Sequence, residues 1–131
     1  MVEGSELTHR QLEYSLSQCI KELYLNHLGH QPNKVSCQLV NETLTIIVED
    51  SITLPEQLLN KSGHLDLAKQ VRSSIQKIVD VHLKQAIEEV FATSVSEIFS
   101  DSALDTGRTS VVAILAGIET KQQRLGEDDT E

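Results

Sequence analysis

Residues 63–93 place apolar side chains three or four positions apart, without a proline to break the run. That spacing lines side chains along one face of an α-helix. One line holds Leu67, Val71, Ile75, Ile78 and His82; a second holds Val79, Leu83, Ala86 or Ile87, and Val90. Two adjacent lines make an apolar face broader than a coiled-coil seam, the kind that lies on a sheet. Lys69, Gln70, Ser73, Gln76, Lys77, Asp80, Lys84, Glu88 and Glu89 are expected to fill the solvated remainder, and Gly63 to serve the chain's entry into the helix. The rest of the chain must then supply the sheet.

Residues 5–28 read as another helix, with Ser5 and Thr8 as N-cap candidates and Thr8–Gln11 spaced as a capping box. Its stripe is Leu12, Leu16, Cys19 or Ile20, and Leu23. Gly29 is placed to stop it, and Pro32 prevents its resumption. Tyr24 and Leu25 fall beside the stripe, so this helix is either wrapped on two sides or meets another chain.

Val35, Cys37 and Leu39 alternate with Ser36 and Gln38; Leu44, Ile46 and Val48 alternate with Thr43, Thr45 and Glu49. This period of two marks half-buried strands, and Asn41-Glu42 between them makes a hairpin turn. Residues 52–62 form a connector, with Pro55 opening a short helix that carries Glu56, Leu58 and Leu59. Residues 95–101 read as a third strand, 102–108 as a loop turning at Thr106-Gly107, and 109–116 as a fourth strand that is apolar on both faces. The chain becomes charged from Glu119, so 1–118 is read as one domain and 119–131 as an acidic, disordered tail. The predicted fold is α+β: helix, strand, strand, long helix, strand, strand, with a four-stranded, mainly antiparallel sheet covered by helices.

Charge narrows the partners. Eleven Lys plus Arg against twenty Asp plus Glu give a formal charge of −9. Phosphate backbones and anionic lipid repel such a chain, and aromatic residues at 3% offer no stacking platform for single strands. Nucleic acid is therefore not expected as a partner. The first residues are polar, without the apolar stretch of a signal peptide, and no run approaches a membrane span, so a cytoplasmic protein without direct membrane insertion is expected. Cys19 and Cys37 read as buried free thiols, although two cysteines leave a disulfide open.

No nucleophile elbow, phosphate loop or dinucleotide fingerprint occurs, and Cys37 has no evident base beside it. His27 and His30 lie three apart at a helix end, a spacing that suits interaction with the helix C-terminal dipole better than metal ligation. His82, on an apolar face, reads as a core or interface histidine. Ser100, Asp101, Asp105 and Thr106 lack the ligand spacing of a cation loop and read as turn formers. The expectation is a non-enzyme without metal or cofactor.

What remains is surplus apolar surface. Val40 and Ile47 fall on the strand face where a solvated sheet carries polar residues, and Val112 and Ile114 lie opposite Val111, Ala113 and Leu115. These four residues, Val40, Ile47, Val112 and Ile114, are the candidate interface, and a homodimer is the expected way to bury them.

The order of elements and several short motifs resemble the MpsC-like family of small bacterial proteins. In that family the first helix ends in Gly-x-Gly-Pro; here Gly29-His30-Gln31-Pro32 stands, with Gln31 in place of the second glycine. Ile52-Thr53-Leu54-Pro55-Glu56 is similar to the family's connector with one residue added, and Val71-Arg72 to the start of its long helix. Ser100-Asp101 and Thr106-Gly107 resemble its last hairpin, spacing included. The motif positions are thus Gly29, Pro32, Ser100, Asp101, Thr106 and Gly107. The resemblance implies a link to ion or inorganic-carbon transport, and with it a non-catalytic accessory protein whose partner is a membrane transport system. The alternative is a small-molecule- or metal-binding domain, or small enzyme, with a pocket between sheet and helices involving His30 and His64.

Overall fold

Two tight turns set the register of the sheet. Asn41 takes a left-handed conformation (φ 55°) in the two-residue turn that pairs Val40 with Thr43 and Leu39 with Leu44. Gly107 does the same (φ 75°) in the turn that pairs Ala103 with Arg108. A computed structural model describes residues 2–116, so the expected tail at 119–131 and the domain boundary at 118 lie outside it. The elements are α1 (Val2–Leu28), β1 (Lys34–Val40), β2 (Thr43–Glu49), α2 (Leu54–Lys61), α3 (Leu65–Phe91), β3 (Val95–Ala103) and β4 (Arg108–Leu115). The hairpins β1–β2 and β3–β4 join through β2 and β4 into one antiparallel sheet, in the order β1-β2-β4-β3. The α+β fold is the one the sequence predicts, with α2 inside the connector.

One face of the sheet is the core. Val35, Leu44, Ile46, Val48, Val111, Ala113 and Leu115 point from it into Leu16, Ile20 and Tyr24 of α1 and Val79, Leu83 and Ile87 of α3. Each fully buried aliphatic side chain contributes roughly 2 kcal/mol, so this single layer is the main source of stability. Both long helices lie on it. Neither covers the opposite face.

α3 buries the second expected line, Val79, Leu83 and Ile87, and turns part of the first outward. Its buried line runs Ala68, Arg72, Gln76, Val79, Leu83, Ile87 and Phe91, with polar residues where the N-terminal half meets the fold. Leu67 and Ile78, expected in the core, are about half exposed at 47% and 54%. Gln76, expected on the surface, is buried. α1 packs on α3, with His27 stacked on His82, and Ile75 of the first line stays partly buried against the core. Tyr24 is likewise no flanking residue: it is buried, and desolvation raises its hydroxyl above the ordinary tyrosine value.

Candidate functional site

The polar stretch of α3 meets a polar counterpart. Thr53 opens α2 as its N-cap, Pro55 occupies the first turn, and Glu56 reaches back to accept the Thr53 N–H at 3.0 Å. The same carboxylate takes Arg72 of α3: Nε donates to Oε1 at 2.6 Å and one terminal nitrogen to Oε2 at 2.7 Å. That nitrogen also donates to the Ser51 carbonyl at 3.0 Å, and the other to Gln76 Oε1 at 3.2 Å. The Glu56 side chain is fully buried and that of Arg72 nearly so, at 0% and 7% exposed. The pair thus fastens α2 and the β2–α2 loop to α3. Every oxygen and nitrogen facing it is used, as a buried ion pair requires.

Beside this pair, α3 and the end of β3 diverge around a cleft of about 570 Å³. Lys69, Arg72, Gln76, Lys77 and Asp80 line it from α3, and Ser100, Asp101 and Ser102 from β3. Asp80 accepts from Gln76 Nε2 at 2.8 Å and from Ser100 Oγ at 2.8 Å, bridging helix and strand. Deeper, Thr109 Oγ1 lies 2.7 Å from both the Ser102 and Ser51 hydroxyls. The cleft is therefore built from both signs of charge and from hydroxyls already engaged.

The motif positions gather at one end of the sheet in supporting roles. Gly29 (φ 64°) ends α1 with its N–H on the Leu25 carbonyl at 3.0 Å, and Pro32 is buried just beyond. His30 Nε2 lies 2.7 Å from the Asp50 carbonyl oxygen. The Gly107 carbonyl accepts both the N–H and the hydroxyl of Ser51, at 2.8 and 3.0 Å, and Thr106 Oγ1 donates to the Ala103 carbonyl at 3.4 Å. Ser100 and Asp101 alone among them reach the cleft. Arg72 and Glu56, the centre of the network, carried only the signal of two separate motif matches, Val71-Arg72 and Pro55-Glu56. Nothing local in the sequence pairs residues so far apart.

The four candidate interface residues share the open face of the sheet. Val40 leads across Thr43 and Ile114 to Glu97; Val112 sits between Thr45 and Phe99; Ile47 sits between Ser36 and Ser110. Val40 and Phe99 are 55% and 57% exposed, while Ile47, Val112 and Ile114 are half-buried by their neighbours. Phe99 was missed because a lone aromatic residue in β3 shows no alternation with its neighbours. The edges of the sheet differ as well. At β1, the Leu39 N–H donates to Glu13 Oε2 of α1 at 2.7 Å.

The histidines do not converge. His27 stacks on His82 of α3, ring centroids 3.9 Å apart, while His30 turns to Asp50. Neither His30 nor His64 lines the cleft. Among the described residues no group of three His, Cys, Asp or Glu side chains is arranged to hold a metal ion. Cys19 and Cys37 are free thiols; burial, with the nearby Glu13 charge, pushes Cys37 up to about 12, which keeps it protonated and unreactive.

Residues 8–117 match the model of a family described as Na+-translocating membrane potential-generating system (MpsC). Neither the curated proteins nor the solved structures compared with the chain gave a match. No helix among the described residues is long and apolar enough to cross a membrane.

Proposed function

This chain belongs to the MpsC family, and from that membership we propose that it is a non-catalytic accessory protein of a Na+-translocating, membrane potential-generating system. In this reading it works at the cytoplasmic side as a homodimer and contributes binding surface instead of chemistry. The open sheet face carries the proposal. Its two helices cover one side only, and Val40, Ile47, Phe99, Val112 and Ile114 occupy the other. A water-facing antiparallel sheet ordinarily carries polar residues there, and a contiguous apolar patch rimmed by polar groups marks an association surface. The family description supplies the system; the patch supplies the means.

The test is affinity capture of the full chain from its native cells, with membrane and soluble fractions analysed separately, alongside Ile114→Lys and Ile47→Lys. Recovery of transport-system subunits by the parent, weakened by either variant, is the expected result. A parent that recovers no membrane component overturns the proposal. A small-molecule role would have to use the α3–β3 cleft without His30 or His64, and calorimetric titration of candidate metabolites would reveal it.

A further inference from the structure

We infer that the free edge of β3 is a docking site for an extended, basic protein segment, which adds to the sheet as a fifth strand. The inference rests on the accessory role proposed above and names a second surface through which that role is exercised.

The direction of the backbone groups is the first argument. In β4 the Leu115 N–H donates to the Glu42 carbonyl, on the β2 side, and the Ala116 N–H to the Ser94 carbonyl, on the β3 side. Backbone groups alternate sides along an antiparallel strand, so even-numbered β4 residues serve β3. Their partners are Glu97, Phe99 and Asp101. Ile98, Ser100 and Ser102 therefore turn their N–H and C=O groups away from the sheet. The Ser102 N–H is taken by the Asp101 carboxylate at 3.0 Å; at Ile98 and Ser100 the edge is open. At β1, by contrast, Glu13 of α1 reaches over the edge to Leu39. α1 thus engages the β1 edge at Leu39, whereas the β3 edge at Ile98 and Ser100 is left for a partner.

Space is the second argument. A strand added beside β3 lies about 4.8 Å from it and sends alternate side chains to the two faces. On the helix side those side chains enter the cleft of about 570 Å³ between α3 and β3, where Lys69, Gln76, Asp80 and Ser100 suit short polar groups. Backbone pairing then supplies affinity and the alternate side chains supply selection.

Charge identifies the occupant. On the open face β3 presents Glu97, Phe99 and Asp101, all exposed, and no Lys or Arg occurs in the strand. A second copy paired antiparallel about Phe99 would set Glu97 opposite the other copy's Asp101, and like charges directly opposite are destabilising. A strand with Lys or Arg on either side of an apolar residue matches all three positions. Segments of that composition are abundant in the cytoplasmic loops of membrane proteins. Acidic residues on an edge also prevent aggregation, but they do so while selecting the sign of whatever binds.

Anisotropy of a labelled peptide with the core Lys-Ser-Val-Ser-Lys, titrated with the full chain at low salt, tests this against a Glu-Ser-Val-Ser-Glu counterpart. The basic peptide binds and the acidic one does not. Ser100→Pro removes an N–H that the ladder does not use and weakens binding at least tenfold, whereas Ser100→Ala, which keeps that N–H and gives up only the hydroxyl in the cleft, weakens it far less. Melting curves confirm that both are folded. Glu97→Lys with Asp101→Lys loses roughly tenfold, the effect of two exposed charge pairs, and gains affinity for the acidic peptide. Absence of binding by the parent, equal binding of the two peptides, or undiminished binding by Ser100→Pro each overturns the docking site. If Ser100→Pro still captures the membrane partners that the parent captures, the edge proposal falls and the accessory role stands.

Discussion

Arg72 and Glu56 meet through two hydrogen bonds of 2.6 and 2.7 Å in a place where neither side chain faces water. The carboxylate also caps α2, and the guanidinium also holds the Ser51 carbonyl. One pair thus ties α2 and the β2–α2 loop to α3.

Breaking it from either side leaves a buried charge alone. Arg72→Met and Glu56→Gln are each expected to cost about 3–5 kcal/mol of unfolding free energy, read from the midpoint and slope of a urea titration. The combined replacement should cost less than the two losses added, because it leaves no unpaired charge. Additive losses would show that the pair is not coupled.

Ile114→Lys is expected to act on association and hardly on folding, since the residue is half-buried on the open face. Light scattering at micromolar concentration should give twice the 14.6 kDa chain mass for the parent and shift toward one chain for the variant. A monomeric parent would remove the dimer from the proposed function.

Glu13→Ala removes the acceptor of the Leu39 N–H. A hydrogen bond to a charged group contributes about 1.5–3 kcal/mol, and partial exposure puts the expected loss at the lower end. Amide exchange should accelerate at Leu39 more than elsewhere in β1. Uniform acceleration along the strand would mean that Glu13 holds α1 in place and not the edge.

Alkaline pH should weaken the fold in a defined window. Cys37 is pushed up to about 12 from the ordinary thiol value of 9.0, first by burial and then by Glu13. The unfolded thiol ionises first, so the stabilisation is whole below pH 9 and is lost as pH rises toward 12. Between those limits the slope is about 1 kcal/mol per pH unit. Tyr24, also raised by burial, adds in the same direction above the ordinary tyrosine value of 10.0. Urea titrations at pH 8 and pH 10 measure it, and Cys37→Ala should flatten the lower part of the window.

The hairpins, the short connector helix and the open-face residues were legible because each rests on local information: period two in β1 and β2, the doubly apolar run of β4, Asn41-Glu42 and Thr106-Gly107 at the turns, Pro55 at a helix start. The facing of α3's N-terminal half was not. Leu67 and Ile78 are apolar yet exposed, so hydrophobicity alone leaves the choice of face there undecided. What decides it is Arg72 and Gln76, polar residues that become buried because Glu56 and Asp80 satisfy them. The cleft and the open β3 edge were illegible for a related reason: Ser100 bonds to Asp80 across an α3–β3 gap that only the packed chain defines.

The strand order β1-β2-β4-β3 also has a meaning in time. Both outer pairings close over turns of a few residues, which microseconds allow. The central pairing of β2 with β4 brings Thr43 against Ile114 across α2, α3 and β3. Closing so long a loop draws its entropy cost before any contact repays it. That seam is the expected slow step of the molecule's assembly, since β2 meets β4 only when α2, α3 and β3 have been gathered between them.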